Sequence, residues 1–167
     1  PVKKRDFDIA FRGLVLGQHE FQYDLDDTFF TLFEYSDYRG LRGTTELKML
    51  KSETVLDLEF HFAGSIETPC DITNEMYTQV LKNSFVMQIK FGDEYNDENE
   101  ELLILPHGNY EFNAAQMIYE LVVLSIPSKL LGPNAGNGIE DLIEDEEDEE
   151  EEKTDPRWDQ LKNLLNK

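Results

Sequence analysis

Residues 56–62 read LDLEFHF, and the alternation of apolar and polar side chains in this stretch decides the fold class. Leucine or phenylalanine occupies each even position, whereas Asp57, Glu59 and His61 occupy the odd ones. A two-residue period of this kind is typical of a strand that buries one face and exposes the other to water. Residues 85–91, FVMQIKF, repeat the pattern and predict a second strand of the same kind.

Weaker runs of the same type extend the sheet on both sides. Turn-forming residues lie between them, as at Arg39-Gly40 and Gly92-Asp93. This spacing predicts a mostly antiparallel sheet within the first hundred residues. The additional strands are expected at 21–25, at 45–50, and at the short apolar run 102–105, which is typical of a more buried strand.

Two helix signals accompany the predicted sheet. Asp27 and Thr28 can cap a short helical turn that carries three phenylalanines and a leucine. Asn113 can cap a longer helix, because Gln116 completes a capping-box pattern and Pro127, which lacks an N–H, ends it after Ile126. The helix from Asn113 to Ile126 is apolar on nearly every side, so we expect it to be buried against the sheet. The fold class predicted is therefore α+β.

Composition divides the chain into three parts. Residues 1–131 are expected to form a single α+β domain. Residues 132–154 combine glycine-rich and acidic stretches, and we expect a disordered linker there because like charges repel one another. Residues 155–167, DPRWDQLKNLLNK, are expected to form a short C-terminal helix with Asp155 as its N-cap and Pro156 at its first position.

The charge is concentrated in that linker. The chain has 167 residues, with 36 acids against 15 bases and a net charge of −21. Residues 140–152, EDLIEDEEDEEEE, contain 11 of the acids and no base. The rest of the chain carries 25 acids and 15 bases, so more than half of the net charge lies in one short stretch.

The charge and the hydropathy argue against several classes of partner. Binding to nucleic acid by bulk electrostatics needs clustered Lys and Arg, and an anionic membrane surface needs the same. The longest apolar stretch, residues 121–126, is far shorter than the roughly 20 residues that span a bilayer. The N-terminus shows no apolar signal core, and a single cysteine cannot form an internal disulfide. We expect a cytoplasmic protein without a membrane partner.

The residues available for catalysis are few. His19, His61 and His107 are far apart in sequence and belong to no catalytic or metal motif, and Cys70 has no basic neighbour that would activate it. Carboxylates could hold Mg²⁺ in a nuclease, but acids are so abundant in this chain that their presence neither supports nor excludes a nuclease. The acidic run lacks the spaced oxygens and the turn of a calcium loop. The sequence predicts no enzyme, no bound metal and no cofactor.

Cationic and aromatic side chains supply the candidate interaction residues. Arg157 and Trp158, of types enriched at binding hot spots, follow Asp155 and Pro156 directly, although Trp158 could equally dock the helix on its own sheet. RNA contact would use bases that converge in the fold together with exposed aromatics such as Tyr35, Tyr38 or Trp158. The bases considered are Lys3, Lys4, Arg5, Arg12, Arg39, Arg42, Arg157, Lys162 and Lys167.

Several segments, taken in order along the chain, resemble the YceD-like family of large ribosomal RNA subunit accumulation proteins. They are GLVLGQHEFQYDLDDTFF (13–30), Thr68-Pro69-Cys70-Asp71, LILPHGNYEFNAAQMIYELVVLSIP (103–127) and DPRWDQLKNLL (155–165). The layout resembles a Bacteroidetes-type member that lacks most of the family's cysteines. The resemblance covers nearly the whole chain.

The resemblance implies a non-enzymatic bacterial protein that supports accumulation or processing of large-subunit (23S) ribosomal RNA. It also implies cysteine pairs that would bind zinc. Cys70 stands at the first family cysteine position, but Thr73 stands at the second, and no cysteine follows Pro127. A structural zinc site needs four thiolate or imidazole ligands, so we expect none in this chain.

The sequence is compatible with two classes of partner. The protein could contact ribosomal RNA, or it could act as an acidic binding module or chaperone for a basic ribosomal or assembly protein without touching RNA. The acidic run could attract such a protein or serve only as a solubilising segment. The oligomeric state is not predicted.

Overall fold

The strands of the protein follow the alternation in its sequence. A computed structural model describes residues 2–135. The described chain has eight strands: β1 Asp8–Ile9, β2 Gly17–Leu25, β3 Arg39–Lys51, β4 Val55–Pro69, β5 Met76–Gly92, β6 Asn96–Asn99, β7 Leu102–Pro106 and β8 Phe112–Asn113. Two α-helices, α1 Asp27–Leu32 and α2 Ala115–Leu124, accompany 3-10 turns at Lys4–Phe7, Phe11–Gly13 and Pro133–Ala135.

Six of these strands form one sheet in the order β2-β3-β4-β5-β7-β6. β3 pairs antiparallel with both β2 and β4, in agreement with the antiparallel pairing predicted, but Arg39 and Gly40, predicted as a turn, begin β3 itself. β7 runs parallel to β5, and β6 pairs antiparallel with β7 on its other side. The parallel pair was not predicted, because β6 is a polar four-residue strand that the hydropathy pattern does not identify. β1 and β8 form a separate two-stranded ribbon in which Ile9 lies opposite Phe112.

The core lies on one face of the six-stranded sheet. The even-numbered residues of β4 from Leu56 to Phe62 are almost fully buried. Helix α2 contributes Ile118, Leu121 and Val122 to the same core, and the N-terminal segment contributes Phe7 and Phe11. Each such side chain, when fully buried, stabilises the fold by about 1.5–3 kcal/mol relative to its exposed state.

Helix α2 is shorter than predicted and is not buried on all sides. It spans Ala115–Leu124, while Asn113 lies in β8 and its Oδ1 accepts a hydrogen bond from the Ala115 amide at 2.9 Å. The predicted capping box is not formed, because Asn113 Oδ1 accepts from the Ala115 amide and not from that of Gln116. The side-chain amide of Gln116 donates to Glu120 at 3.2 Å. Leu124 follows these two polar residues on one stripe and is 78% exposed. The helix is therefore amphipathic, although its high apolar content suggested full burial.

The N-cap of α1 lies one residue earlier than predicted. Asp26 Oδ1 accepts a hydrogen bond from the Thr28 amide at 2.9 Å and caps the helix. The Asp27 carboxylate accepts instead from the amides of Gly40 and Leu41, at 3.1 and 2.9 Å. Asp27 thus fixes the beginning of β3, a contact 13 residues away that local capping rules do not anticipate.

The described chain divides into two compact units. One contains residues 2–68 and 78–128, and the other contains residues 69–77 and 129–135. Most of the predicted linker and all of the predicted C-terminal helix, residues 136–167, lie outside the described residues. Within residues 2–135, no helix is both long enough and apolar enough to cross a bilayer.

Candidate interaction surfaces

Arg39 and Arg42 lie at the exposed beginning of β3. The strand has an irregularity between them, and they lie opposite Glu67 and Ser65 of β4. Gly40 makes this geometry possible for two reasons. Its φ of +70° is left-handed, which favours glycine, and a Cβ at this position would clash with the side chain of Glu67. Both arginines therefore sit on a strand end that Asp27 and Gly40 hold in a fixed conformation.

Arg12 lies on a different part of the same unit. It belongs to the 3-10 turn Phe11–Gly13, and its guanidinium Nη2 donates to the carbonyl oxygen of His107 at 3.3 Å. Lys51 holds this turn, because its Nζ donates to the carbonyl oxygens of Phe11 and Leu14 at 2.7 and 2.6 Å. Lys51 ends β3, nine residues after Arg42, which corresponds to about 30 Å along a strand. The structure does not bring Arg12 together with Arg39 and Arg42.

The N-terminal bases lie among acids. Lys4 and Arg5 belong to a 3-10 turn, whose Lys4 carbonyl accepts a hydrogen bond from the Asn113 side chain at 2.8 Å. Asp6 lies in the same turn, and its carboxylate accepts from the Lys3 amide at 2.8 Å. Asp8 follows in β1. Lys3, Lys4 and Arg5 are consecutive, and Asp6 and Asp8 follow them, so the cationic run of this segment ends after three residues.

The aromatic residues considered for base stacking are partly occupied. Tyr35 is half-buried, and its ring lies 5.0 Å from that of Phe30 and 5.7 Å from that of Tyr119. Burial, followed by the charge of Asp37, raises the pKa of Tyr35 to about 12. Tyr38 is also half-buried and lies 6.2 Å from Tyr35. Asp155, Pro156, Arg157 and Trp158, the remaining candidate residues, lie outside the described part of the chain.

Cys70 is the centre of the second unit. Its side chain is buried, with 2% of its surface exposed. The Thr73 hydroxyl donates a hydrogen bond to its sulfur, and the backbone amides of Thr73, Gly132 and Ile72 point at the same atom. These donors stabilise the thiolate and lower the pKa of Cys70 from 9.0 to about 7. The segment is closed by Asp71, whose amide donates to the Leu130 carbonyl at 2.7 Å and whose carboxylate accepts from the Leu130 amide at 2.8 Å.

The donor set around Cys70 does not fit a structural zinc ion. The chain contains one cysteine and three histidines, and Thr73 offers a hydroxyl where a second thiolate would be needed. Within residues 2–135, no three side chains among histidine, cysteine, aspartate and glutamate converge as metal ligands. The absence of zinc itself stays a prediction.

The histidines have surface partners. His61 Nε2 lies 2.7 Å from Glu59 Oε1, on the solvent face of β4 where the alternation placed it. His19 Nε2 lies 2.7 Å from the Val15 carbonyl oxygen. His107 Nε2 lies 3.8 Å from the exposed Asp93 carboxylate. In the described chain, no hydrogen bond links any of the three to a serine hydroxyl or to the Cys70 thiol, although His61 and Ser84 line the same surface concavity.

A concavity on the solvent face of the main sheet was not predicted from the sequence. It has a volume of about 690 Å³ and is open to solvent. Leu50, Val86 and Leu102 contribute apolar side chains to it from three different strands. The hydropathy pattern could have indicated it only through Leu50 and Val86, which occupy positions where the alternation calls for polar residues. Its other charged and amide lining residues include Gln18, Lys48, Asp57, Glu59, Gln88, Asn99 and Glu101.

A family model named for the large ribosomal RNA subunit accumulation protein YceD matches residues 58–165, which is well over half of the chain. The chain belongs to this family. No curated protein and no solved structure matches the chain. The YceD match begins within β4 and includes β5 to β8, α2 and the Cys70 segment, so it confirms the resemblance drawn from the sequence. Membership of this family indicates a general role in ribosome biogenesis.

Proposed function

We propose that this protein supports the accumulation of large-subunit ribosomal RNA in the cytoplasm as a non-enzymatic binding protein that holds a basic ribosomal or assembly protein. Family membership supports the ribosomal part of the proposal. The choice of a protein partner is supported by charge, because the chain carries 36 acids and only 15 bases. Acidic surfaces attract basic proteins and repel RNA phosphates.

The observation that carries the proposal is the separation of the cationic side chains. Arg12 and Arg42 lie near opposite ends of β3. The consecutive bases Lys3, Lys4 and Arg5 are followed directly by Asp6 and Asp8. Recognition of a phosphate backbone depends on several cations that follow the same groove or stripe. Carboxylates, in contrast, are clustered within the described residues, since residues 93–101 contain six acids and no base.

A direct RNA contact is the second candidate, and one observation favours it. Arg12 lies beside the backbone of Tyr110, whose carbonyl oxygen accepts a hydrogen bond from the Arg12 amide at 3.3 Å. Tyr110 is 56% exposed, so an aromatic ring and a guanidinium are both accessible at this end of the unit. Single-stranded RNA is commonly bound by stacking on such rings next to a cation.

Recovery of the tagged chain from native lysate, with and without ribonuclease, separates the two candidates. We expect a basic ribosomal or assembly protein to stay bound after the RNA is digested. Because exposed charges are screened beyond about 10 Å at 0.1 M salt, its recovery should fall steeply as the salt concentration rises. Loss of all bound protein after ribonuclease treatment would reject the protein partner in favour of RNA.

The contribution of the acidic run is tested separately. A variant in which the acids of residues 140–152 are replaced by their amides keeps the length of the chain but removes 11 negative charges. We expect weaker recovery of the basic partner and a shallower dependence on salt. Unchanged recovery would assign the binding to the folded units alone.

A further inference from the structure

The solvent face of the main sheet carries three apolar side chains where polar residues are expected. Leu50 of β3 and Val86 of β5 are 50% and 64% exposed. They lie on opposite sides of β4 and line the same concavity as Leu102 of β7. A single exposed valine is ordinary, as Val80 shows on the same face of β5, but here three apolar side chains line one concavity, with the polar side chains of Asp57 and Gln88 between them.

The floor of this concavity has a fixed shape. Leu50 lies directly opposite Asp57 in the β3–β4 pairing. Gln88 of β5 donates a hydrogen bond to the Asp57 carboxylate at 2.7 Å, which ties β4 to β5 across the floor. Gln88 in turn lies opposite Leu102 in the parallel β5–β7 pairing. The apolar side chains therefore project from a continuous sheet and not from mobile loops.

The concavity is acidic. Asp57, Glu59 and Glu101 line it, and Lys48 is the single cation among its lining residues. Lys48 lies in register between Glu20 of β2 and Glu59 of β4, so two carboxylates flank its charge. A concavity that combines three apolar side chains with an excess of carboxylates complements a ligand that presents both apolar side chains and cations.

We infer that this concavity is a docking groove for a basic amphipathic segment of a partner protein. The inference rests on the proposed function for the class of partner, and it specifies where on the sheet that partner is held. The apolar side chains of the segment would cover Leu50, Val86 and Leu102. Its lysines or arginines would face the carboxylates of Asp57, Glu59 and Glu101. A volume of about 690 Å³ is within the usual range of ligand-binding clefts, roughly 300–1,000 Å³.

A synthetic probe tests the groove without knowledge of the natural partner. The probe is a fluorescent peptide of fourteen leucines and lysines whose leucines fall on one helical face. A shuffled peptide of the same composition and a glutamate-for-lysine peptide are its controls. We expect the full-length chain to bind the amphipathic basic peptide more tightly than either control. We also expect amide chemical shifts to change at Leu50, Val86 and Leu102 in the ¹⁵N-labelled chain.

Two matched pairs of variants locate the binding. Val86→Asp should weaken the peptide affinity at least about tenfold, as loss of a central contact does, whereas Val80→Asp on the same strand should change it less than about twofold. Val86→Thr, which retains the shape of valine, serves if Val86→Asp does not fold. Glu101→Gln should weaken binding about two- to threefold and reduce its salt dependence, and Glu100→Gln should not.

The outcomes distinguish the groove from the proposed function. Equal effects of the Val86 and Val80 substitutions, equal affinity for the shuffled peptide, or shift changes confined to other surfaces would each overturn the groove. If the natural basic partner survives ribonuclease treatment and Val86→Asp retains it as well as Val80→Asp does, the groove is wrong and the proposed function stands. If the unaltered chain retains no basic protein, the proposed function fails whatever the peptide does.

Discussion

The hydroxyl of Thr73 donates a hydrogen bond to the sulfur of Cys70, three residues earlier in the chain. In the pattern that the YceD resemblance implies, a second cysteine would occupy position 73 and share a metal with the first. Here, a hydroxyl and three backbone amides surround one buried sulfur. The segment thus directs hydrogen-bond donors at Cys70, and Thr73 stands at the position where that pattern would place a second cysteine.

Substitution of Thr73 by valine should raise the pKa of Cys70. The pKa in the folded chain is about 7 against an ordinary value of 9.0, so the folded state stabilises the thiolate. A group with a lowered folded pKa contributes stability that is fully present above pH 9 and is lost as the pH falls towards 7. In reducing buffer, the free energy of unfolding should therefore gain this contribution between pH 7 and 9, and Thr73→Val should reduce the gain.

The check is the thiolate absorbance of the folded protein, measured as a difference from Cys70→Ala so that tyrosine ionisation cancels. The midpoint should lie near 7 in the unaltered chain and higher in Thr73→Val. Identical midpoints in the two proteins would show that the hydroxyl does not stabilise the thiolate.

Replacement of Lys51 by methionine should destabilise the larger unit. Its ammonium group donates to three carbonyl oxygens, those of Phe11, Arg12 and Leu14. These bonds fix the 3-10 turn Phe11–Gly13 against the end of β3. Hydrogen bonds to charged groups contribute about 1.5–3 kcal/mol, so a loss of that order is expected in urea unfolding. Lys90→Met, at an exposed position on β5, is the matched control and should change stability by less than about 0.5 kcal/mol.

Introduction of a methyl group at Gly64 should also be destabilising. Gly64 lies opposite Gly43 in the β3–β4 pairing. A Cβ at position 64 would lie 2.8 Å from the Cα of Gly43 and would also clash with the Arg42 carbonyl oxygen. Because backbone atoms cannot yield as a side chain can, Gly64→Ala should cost about 1–3 kcal/mol in thermal or urea unfolding.

Gly108 supplies the comparison for that substitution, since a Cβ there meets no atom within 4 Å. Gly108→Ala should leave stability unchanged or raise it by up to about 1 kcal/mol, through the reduced entropy of the unfolded chain. Similar losses at Gly64 and Gly108 would contradict the close packing of β3 against β4.

Local patterns predicted the elements whose burial follows from residue spacing. The alternation in residues 56–62 identified the β4 core face, and the strand signals at 21–25, 45–50, 85–91 and 102–105 all fall within observed strands. The contacts that sequence reasoning missed are non-local. Asp27 binds amides of β3 instead of capping its own helix, and β7 pairs in parallel with β5 after a polar hairpin.

The candidate sites divide in the same way. The position of Cys70 relative to Thr73 could be read from sequence because the two are three residues apart. The concavity between Leu50 and Val86 could not, since it depends on the order of four strands. Whether Arg12, Arg39 and Arg42 converge is likewise a property of the fold, which keeps Arg39 and Arg42 at one end of β3 and places Arg12 near the other end.

The most direct test of the proposed function is the ratio of large- to small-subunit ribosomal RNA in cells from which the gene is removed and then restored. The proposal predicts that the ratio falls on removal and recovers with the unaltered chain and with Val80→Asp. An unchanged ratio after removal of the gene would contradict a role in large-subunit ribosomal RNA accumulation.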